Sequence, residues 1–348
     1  MKDFAEKLLS WYKKNARGLP WRKTKDPYKI WVSEVMLQQT TVNAVTSYYE
    51  RWIKKFPTLE SVALASEGEV LRAWQGLGYY QRVRNLRKSA QIILRDHNGR
   101  IPDDAGVLKK LPGFGPYTIG AVLSIAFDKR HPIIDANVRR VIMRQLALRG
   151  LADQAQDKKI YDFLYKCMPD KEICFFNQAL MELGALVCRS REPMCNACPV
   201  CFNCLAFQKR LQNIIPQPRR SVVERLESVA AIIEYRGCYL IRQRPKSGLL
   251  AGLWEFPSQE VHDGEPLEKV LERLCGLELG GGFVSAEPFV TVRHAYAKFQ
   301  IKLHAWKCVL KPRLDLPKAY KWIPFSHFGK YTMPSGCVKI LEKLQQAG

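Results

Sequence analysis

The stretch CRSREPMCNACPVCFNC, Cys188 to Cys204, sets cysteines at 188, 195, 198 and 204 in the spacing C-x6-C-x2-C-x5-C. Two thiolates three residues apart reach one metal centre from a single turn, and the flanking pair closes the site. Four thiolates hold a structural zinc or a [4Fe–4S] cluster. Zinc sites pair two C-x2-C knuckles across roughly a dozen or more residues. The asymmetric spacing here favours iron–sulfur. Cys201, inside the loop, is the spare thiol. The chain shows no secretory signal, so its 11 cysteines point to a reducing compartment where they act as ligands or core residues.

Outward from that loop, the 348 residues are enough for two domains with full cores. The formal net charge of +22 and a pI near 9.6 imply a polyanionic partner. The charge is spread along the chain, which argues for a folded basic face over a disordered arm. A membrane is the competing polyanion, and no apolar run approaches the roughly 20 residues of a spanning helix. The N-terminus, MKDFAEKLLSWYKK, lacks the apolar run of a signal peptide and the acid-poor composition of a transit peptide.

Residues 1–208 read as helices joined by short turns, with apolar residues such as Leu8, Leu9 and Tyr12 at helical spacing. In WVSEVMLQQT (Trp31–Thr40), Glu34 is a carboxylate inside an apolar helix and shares a face with Trp31 and Gln38. Desolvation makes such a Glu hold its proton, as a general acid near neutral pH requires. Taken alone, it reads first as a Glu at the core edge, paired to an Arg or a helix end. GLGYYQRVRNLRKSA (Gly76–Ala90) runs from a glycine turn into a basic helix that alone reads as a solvated face. Tyr79 and Tyr80 before it suit a base-step wedge or a stacking platform. LPGFGPYTIGAVLSIAF (Leu111–Phe127) has the form helix, tight turn, helix. Gly113 and Gly115 permit the turn, Pro116 starts the next helix, and the exposed amides can hold a phosphate without reading sequence. In HPIIDANVRRV (His131–Val141), Asp135 is placed to cap a helix. Amide bonds and the helix dipole are expected to keep that carboxylate ionised beside a protonated Glu34.

In this order, and followed by the cysteine loop, these motifs resemble the MutY family of adenine DNA glycosylases, within the helix-hairpin-helix superfamily. The resemblance covers nearly the whole chain and implies removal of undamaged adenine opposite 8-oxoguanine. SEVMLQQT puts the family's catalytic acid on Glu34. DANV is similar to the family's D-G-N-V and puts its polar pair on Asp135 and Asn137, with Ala136 where the family has glycine. The wedge residues fall on Gln39 and Tyr79, within QQT (Gln38, Gln39, Thr40) and GLGYY. ALMELGA puts an acid of the site edge on Glu182, and WRKT puts Trp21 and Arg22 at the adenine pocket. The loop's cysteines 188, 195, 198 and 204 match the family's cluster ligands. The sister endonuclease III group, which nicks the strand, needs a lysine six positions after the Leu of L-P-G-x-G. Tyr117 stands there, so no Schiff base can form and a monofunctional glycosylase is the better reading.

At 209–221, KRLQNIIPQPRRS is polar, basic and proline-bearing, as a linker should be. Beyond it VAAIIEY, CYLIRQR and FVTVRHAYAKFQIKLHAWKCVL read as strands and PLEKVLERL as a helix. GLLAGLWEFPSQEV resembles the family's Nudix-like domain. The helix lacks the R-E-x-x-E-E carboxylates that bind magnesium, so no pyrophosphatase activity is expected. PFSHFGKYTMP matches the family's F-S-H loop at Phe325, Ser326 and His327, which implies inspection of 8-oxoguanine. His294 is read as structural.

The expected architecture is multidomain: an all-α helix-hairpin-helix glycosylase domain (1–208) with a [4Fe–4S] loop, the linker 209–221, and an α+β Nudix-like recognition domain (222–348). The expected partner is double-stranded DNA carrying adenine opposite 8-oxoguanine or guanine, clamped by a monomer that other repair proteins can join. Tyr117 and Asn137 support Glu34 and Asp135. The expected location is the cytoplasm, on the nucleoid, of a bacterium, or the nucleus of a eukaryote. Two further readings are a strand-nicking lyase and a damage-binding protein without catalysis.

Overall fold

The computed structural model describes residues 2–218, 222–262, 264–278, 283–296, 298–310 and 316–347. The chain divides into two compact units. One is Met1–Ala65 with Gln81–Arg220, the other Ser66–Tyr80 with Ser221–Gly348. Among the described residues no helix is long and apolar enough to cross a membrane.

The first unit is helical, as its apolar spacing predicts. The Ile173–Leu186 helix is its axis. It is apolar nearly all round and buried on most of its faces, as such a helix must be. Against it pack Phe4 and Leu8 of the Lys2–Asn15 helix and Val138 and Ile142 of the Ala136–Gln145 helix. Each such side chain, fully buried, stabilises the unit by ~1.5–3 kcal/mol over exposure. Three buried polar residues interrupt the axis, and each has a partner, because an unpaired buried polar group is costly. Asn177 brackets the chain ahead of Asp135, donating to His131 O at 2.8 Å and accepting from Ile133 N at 3.3 Å. Gln178 accepts from the Tyr12 hydroxyl at 2.7 Å, and Glu182 takes two arginines.

The helix-turn-helix read from LPGFGPYT forms around Gly113, whose φ of 81° is left-handed. A Cβ there would also meet Asn85 Cβ at 2.9 Å. Pro116 opens the next helix, Pro116–Ala121, which widens into a π-helical turn over Val122–Ala126. Two arginines of the Gln81–Asp96 helix do not join the solvated face that the sequence suggests. Arg87 Nε donates to Ala65 O at 2.6 Å, and Arg82 folds onto the end of the Pro27–Leu37 helix. Residues 209–218, read as linker, are tied down. Ile215 is buried, its carbonyl accepts from Arg144 Nε at 2.7 Å, and Gln217 N donates to Gly150 O at 2.9 Å.

Among the described residues, the second unit holds a mixed sheet of seven strands: β1 (Glu224–Tyr235), β2 (Cys238–Gln243), β3 (Trp254–Glu255), β4 (Ser258–Glu260), β5 (Phe283–Tyr296), β6 (Phe299–Leu310) and β7 (Tyr320–Pro324). Hairpin partners β1/β2 and β5/β6 are antiparallel. The central pair β1/β6 is parallel from Glu224↔Phe299 to Ile233↔Cys308, which local patterning does not reveal. One face carries Ile232, Leu303 and Phe256 against the Ser335–Ala347 helix. The other carries Val229, Ala231 and Trp306 against the Leu267–Arg273 helix, the helix read from PLEKVLERL.

Candidate active site

One open cleft in the first unit is lined by Trp21, Arg22, Glu34, Gln38, Gln39, Thr40, Gly113, Gly115, Tyr117, Asp135, Asn137 and Glu182. All the residues named for this unit's reaction and DNA contacts therefore meet in one place. Glu34 is carried by the Pro27–Leu37 helix. Asp26 caps that helix, accepting from Tyr28 N at 2.9 Å, and Pro27 supplies the first turn. Trp31, on the same helix, stacks on Phe114 of the hairpin with centroids 4.9 Å apart, which fixes Glu34 beside the turn. Glu34 is 4% exposed. Burial pushes its carboxyl up; the Tyr117 hydroxyl, which donates to Oε2, and Arg22 pull back, and Asp135 adds to the rise. The balance lies at about 7. Tyr117 is itself held well above the usual phenol value, by burial first and then by the two carboxylates, so it remains a donor.

Asp135 caps the Ala136–Gln145 helix. Its Oδ1 accepts from Val138 N at 2.6 Å and its Oδ2 from Asn137 Nδ2 at 3.0 Å. Those bonds were expected to keep the carboxyl low, and its direction is upward instead. Burial outweighs the amide donors and Arg140. Arg140, which the sequence did not single out, donates through Nη2 to Asn137 Oδ1 and Gly184 O, each at 2.8 Å, and through Nε to Cys188 O at 2.8 Å. Gly184 lets the two helices approach, since a Cβ there would lie 2.6 Å from Asn137 Cβ and 3.1 Å from Asn137 Cα. Gly184→Ala is expected to cost ~1–3 kcal/mol of stability and to displace Asn137. Thermal unfolding alongside a base-release assay checks this; a variant matching wild type in both would refute it.

Glu182 stands at the cleft wall with its side chain 1% exposed. Arg17 grips it through Nε and Nη2, each at 2.8 Å, and Arg22 Nη2 adds a bond at 2.8 Å. Burial alone would raise this carboxyl, but the arginine hydrogen bonds overcome it and hold it at about 2. Arg17 carries no sequence signal beyond being one basic residue among many. Trp21, buried edge-on to Tyr49 at 5.4 Å, carries the turn that presents Arg22. Gln38 Nε2 donates to Thr118 Oγ1 at 3.2 Å. Gln39 holds a φ of 58°, a left-handed conformation that costs a non-glycine residue ~1–2 kcal/mol.

The cysteines 188, 195, 198 and 204 surround a small second cavity, joined by Cys201, Val187 and Phe207. Burial raises the Cys198 thiol to about 12 and raises Cys195 and Cys204 as well. Arg144, 2% exposed, donates to Arg189 O at 2.6 Å and to Cys188 Sγ at 3.3 Å. Among the described residues no three His, Cys, Asp or Glu side chains converge closely enough to hold a single metal ion. Four thiols around one cavity are the donor set of a structural zinc or of a [4Fe–4S] cluster.

The remaining named residues belong to the second unit. Phe325 packs on Tyr239 at 5.7 Å and Phe328 at 5.6 Å, which anchors the Phe325–Lys330 turn and leaves Ser326 exposed and His327 half-buried. Tyr79, with φ 48°, lies against Tyr296 at 5.6 Å. His294, read as structural, packs on the bare Cα of Gly336, where a Cβ would fall 2.5 Å from its ring.

Residues 32–167 match the HhH-GPD superfamily of base excision DNA repair proteins, and residues 228–343 match the NUDIX domain. The adenine DNA glycosylase of Mus musculus is 32% identical over 97% of this chain and 77% of its own length. That of Homo sapiens is 36% identical over 98% and 74%, and that of Mycobacterium tuberculosis 44% identical over 56% and 64%. A thermostable thymine-DNA glycosylase covers 59% of this chain and 95% of its own, with a TM-score of 0.54 and 29% identity. Endonuclease III in a non-covalent DNA complex has the same helical fold, with a TM-score of 0.51 and 23% identity over 60% of this chain and 95% of its own.

Proposed function

This chain belongs to the adenine DNA glycosylase family, base-excision-repair enzymes that remove adenine from DNA, and we propose that its substrate is adenine mispaired with 8-oxoguanine or guanine, and that it hydrolyses the glycosidic bond without nicking the strand. The observation that carries the reading is Glu34, held at about 7 beside Tyr117 and Asp135 in one cleft. The bond to adenine cannot be reached inside a duplex, so the nucleotide is extruded into the cleft. Gln39 and Tyr79 keep the stack open, and the amides at Gly113 and Gly115 hold the backbone. Glu34, protonated, donates to the base at N7 and makes adenine a better leaving group. Asp135 serves as the carboxylate of the pair: burial raises it, and the N–H bonds from Val138 and Asn137 act against that rise by favouring the charged form. It faces the positive charge that develops at C1′. Glu34, now ionised, takes a proton from the attacking water, and an abasic site remains. Tyr117 occupies the position where a lyase carries its lysine, and a phenol forms no Schiff base.

The cysteines 188, 195, 198 and 204 would hold a [4Fe–4S] cluster, which supplies a rigid core for the loop bearing Arg189 and Arg191. Adenine release from a duplex with one A opposite 8-oxoguanine, followed by a separate alkali step, tests the reading. Release with breakage only after alkali is expected. Breakage before alkali, with a product trapped by borohydride, would make the enzyme a lyase. Retention of all adenine would leave a binding protein.

In the second unit, Ser326 and His327 read the base opposite adenine. Replacing both with Ala is expected to reduce the preference for 8-oxoguanine over guanine by ~10-fold, the size of one lost hydrogen bond to a polar group. Release from the guanine mispair should change much less. An unchanged ratio of the two rates would remove the turn from the reading.

A further inference from the structure

Arg82, in the basic helix of GLGYYQRVRNLRKSA, has no functional role assigned above, yet it meets the end of the helix that carries Glu34. Its Nη1 donates to Val35 O at 2.8 Å, to Met36 O at 3.1 Å and to Gln38 O, and its Nη2 lies 3.5 Å from Thr40 Oγ1. The last carbonyls of a helix have no partner within it, and a glycine in a left-handed conformation commonly ends it and supplies one. Here no glycine follows Leu37. The chain turns through Gln38 at φ −59°, ψ 112° and puts Gln39, a residue with a full side chain, at φ 58°. That turn lines the cleft. Locally, Thr40 N donates to Leu37 O at 3.3 Å. Gln38 pins its own side chain to Thr118 and leaves the backbone to be held from elsewhere.

We infer that Arg82 is a positioning residue: its guanidinium takes the place of a glycine cap, holds the Gln38–Thr40 turn in its strained form, and so aims Gln39 at the DNA. The inference rests on the wedge role proposed for Gln39. It separates the jobs of the basic helix, since a cation that collects backbone carbonyls is not a phosphate contact. Arg82 touches neither Glu34 nor Asp135 by any of these bonds, so it acts on lesion engagement and leaves the proton chemistry alone.

The test is a double-mutant cycle of Arg82→Met and Gln39→Gly in the full chain. Affinity is measured for a duplex holding a non-hydrolysable adenine analogue opposite 8-oxoguanine, and adenine release is followed in single turnover. Arg82→Met alone should weaken binding ~10-fold, with the pH dependence of release unmoved. Glycine relaxes the left-handed turn and removes the wedge, so in the Gln39→Gly background Arg82→Met should cost less than ~2-fold. Arg82→Lys should recover part of the loss, because an ammonium can donate to the same carbonyls over a shorter reach. Full additivity of the two changes, a shifted pH profile, or wild-type binding by Arg82→Met would each overturn the assignment. Hydrogen exchange at the Thr40 amide needs no substrate. It should quicken in Arg82→Met even if the wild-type protein released no adenine, in which case only the proposed reaction would fall. An unchanged exchange rate would remove the positioning role.

Discussion

Glu34→Gln should lower the single-turnover rate of adenine release by ~10²–10⁴-fold, the range a positioned general acid contributes, and leave duplex affinity within a few-fold. The same carboxyl makes two pH predictions. In the wild type, release should fall as pH rises through about 7, because the proton to be donated is lost there. Stability follows the same group. A carboxyl raised in the folded state binds its proton at pH values where the unfolded chain, at 4.5, has released it. Its contribution is therefore whole below pH 4.5 and lost as pH climbs through 7, by about 3 kcal/mol. Gln cannot ionise, so at pH 8 the inactive variant should unfold at a higher temperature than wild type. Retained base release would remove Glu34 from the chemistry. An unchanged or lower Tm at pH 8 would show that ionising this buried carboxyl does not destabilise the fold.

Glu182→Gln should act in the opposite sense. Its carboxylate is buried, accepts both Arg17 and Arg22, and is held at about 2 against an ordinary 4.5. A lowered carboxyl stabilises the fold above the unfolded value and loses that contribution as pH falls through the folded one. The wild type should therefore lose about 3 kcal/mol between pH 4.5 and 2. Gln puts an amide N–H before two guanidinium groups. Breaking a buried pair by removing one partner costs ~3–5 kcal/mol. Chemical denaturation at pH 7 should show that loss, and denaturation of the variant across pH 5 to 3 should lack the wild-type slope. Equal stability of the two proteins at pH 7 would mean that the arginines find other partners.

The two carboxylates also show where the sequence was legible. Glu34 could be picked out because a lone acid sits among Trp31, Val32, Val35 and Met36, where burial follows from the pattern. Asp135 could be placed as a cap from its position before a helix, but not the direction of its shift, which depends on how closely the cleft walls surround it. Glu182 could be placed at the site by resemblance, whereas its two arginines lie more than 150 positions away in the chain. Buried Arg144 and half-buried Arg82 and Arg140 were hidden for a further reason. In a chain of +22, an arginine that collects carbonyls looks like one that meets phosphate. The cysteine spacing picks out four thiols and leaves Cys201 as the spare; all five line the same cavity. Strands β5 and β6 were plain from alternation. The parallel pairing of β1 with β6 was not, because periodicity reports which face of a strand is buried and not which neighbour it takes.

That parallel ladder sets an order of events in folding. Glu227 and Lys302 sit opposite one another in it, 75 positions apart in the chain, whereas β5 and β6 meet across a tight reversal. Chain entropy favours closing short loops before long ones. The β5/β6 hairpin can therefore assemble early, and β1 docks on it late, after the intervening chain has been gathered in. Until that docking, one long edge of β6 is bare, and backbone groups on it can recruit a strand from another molecule. Closure of β1 on β6 covers that edge.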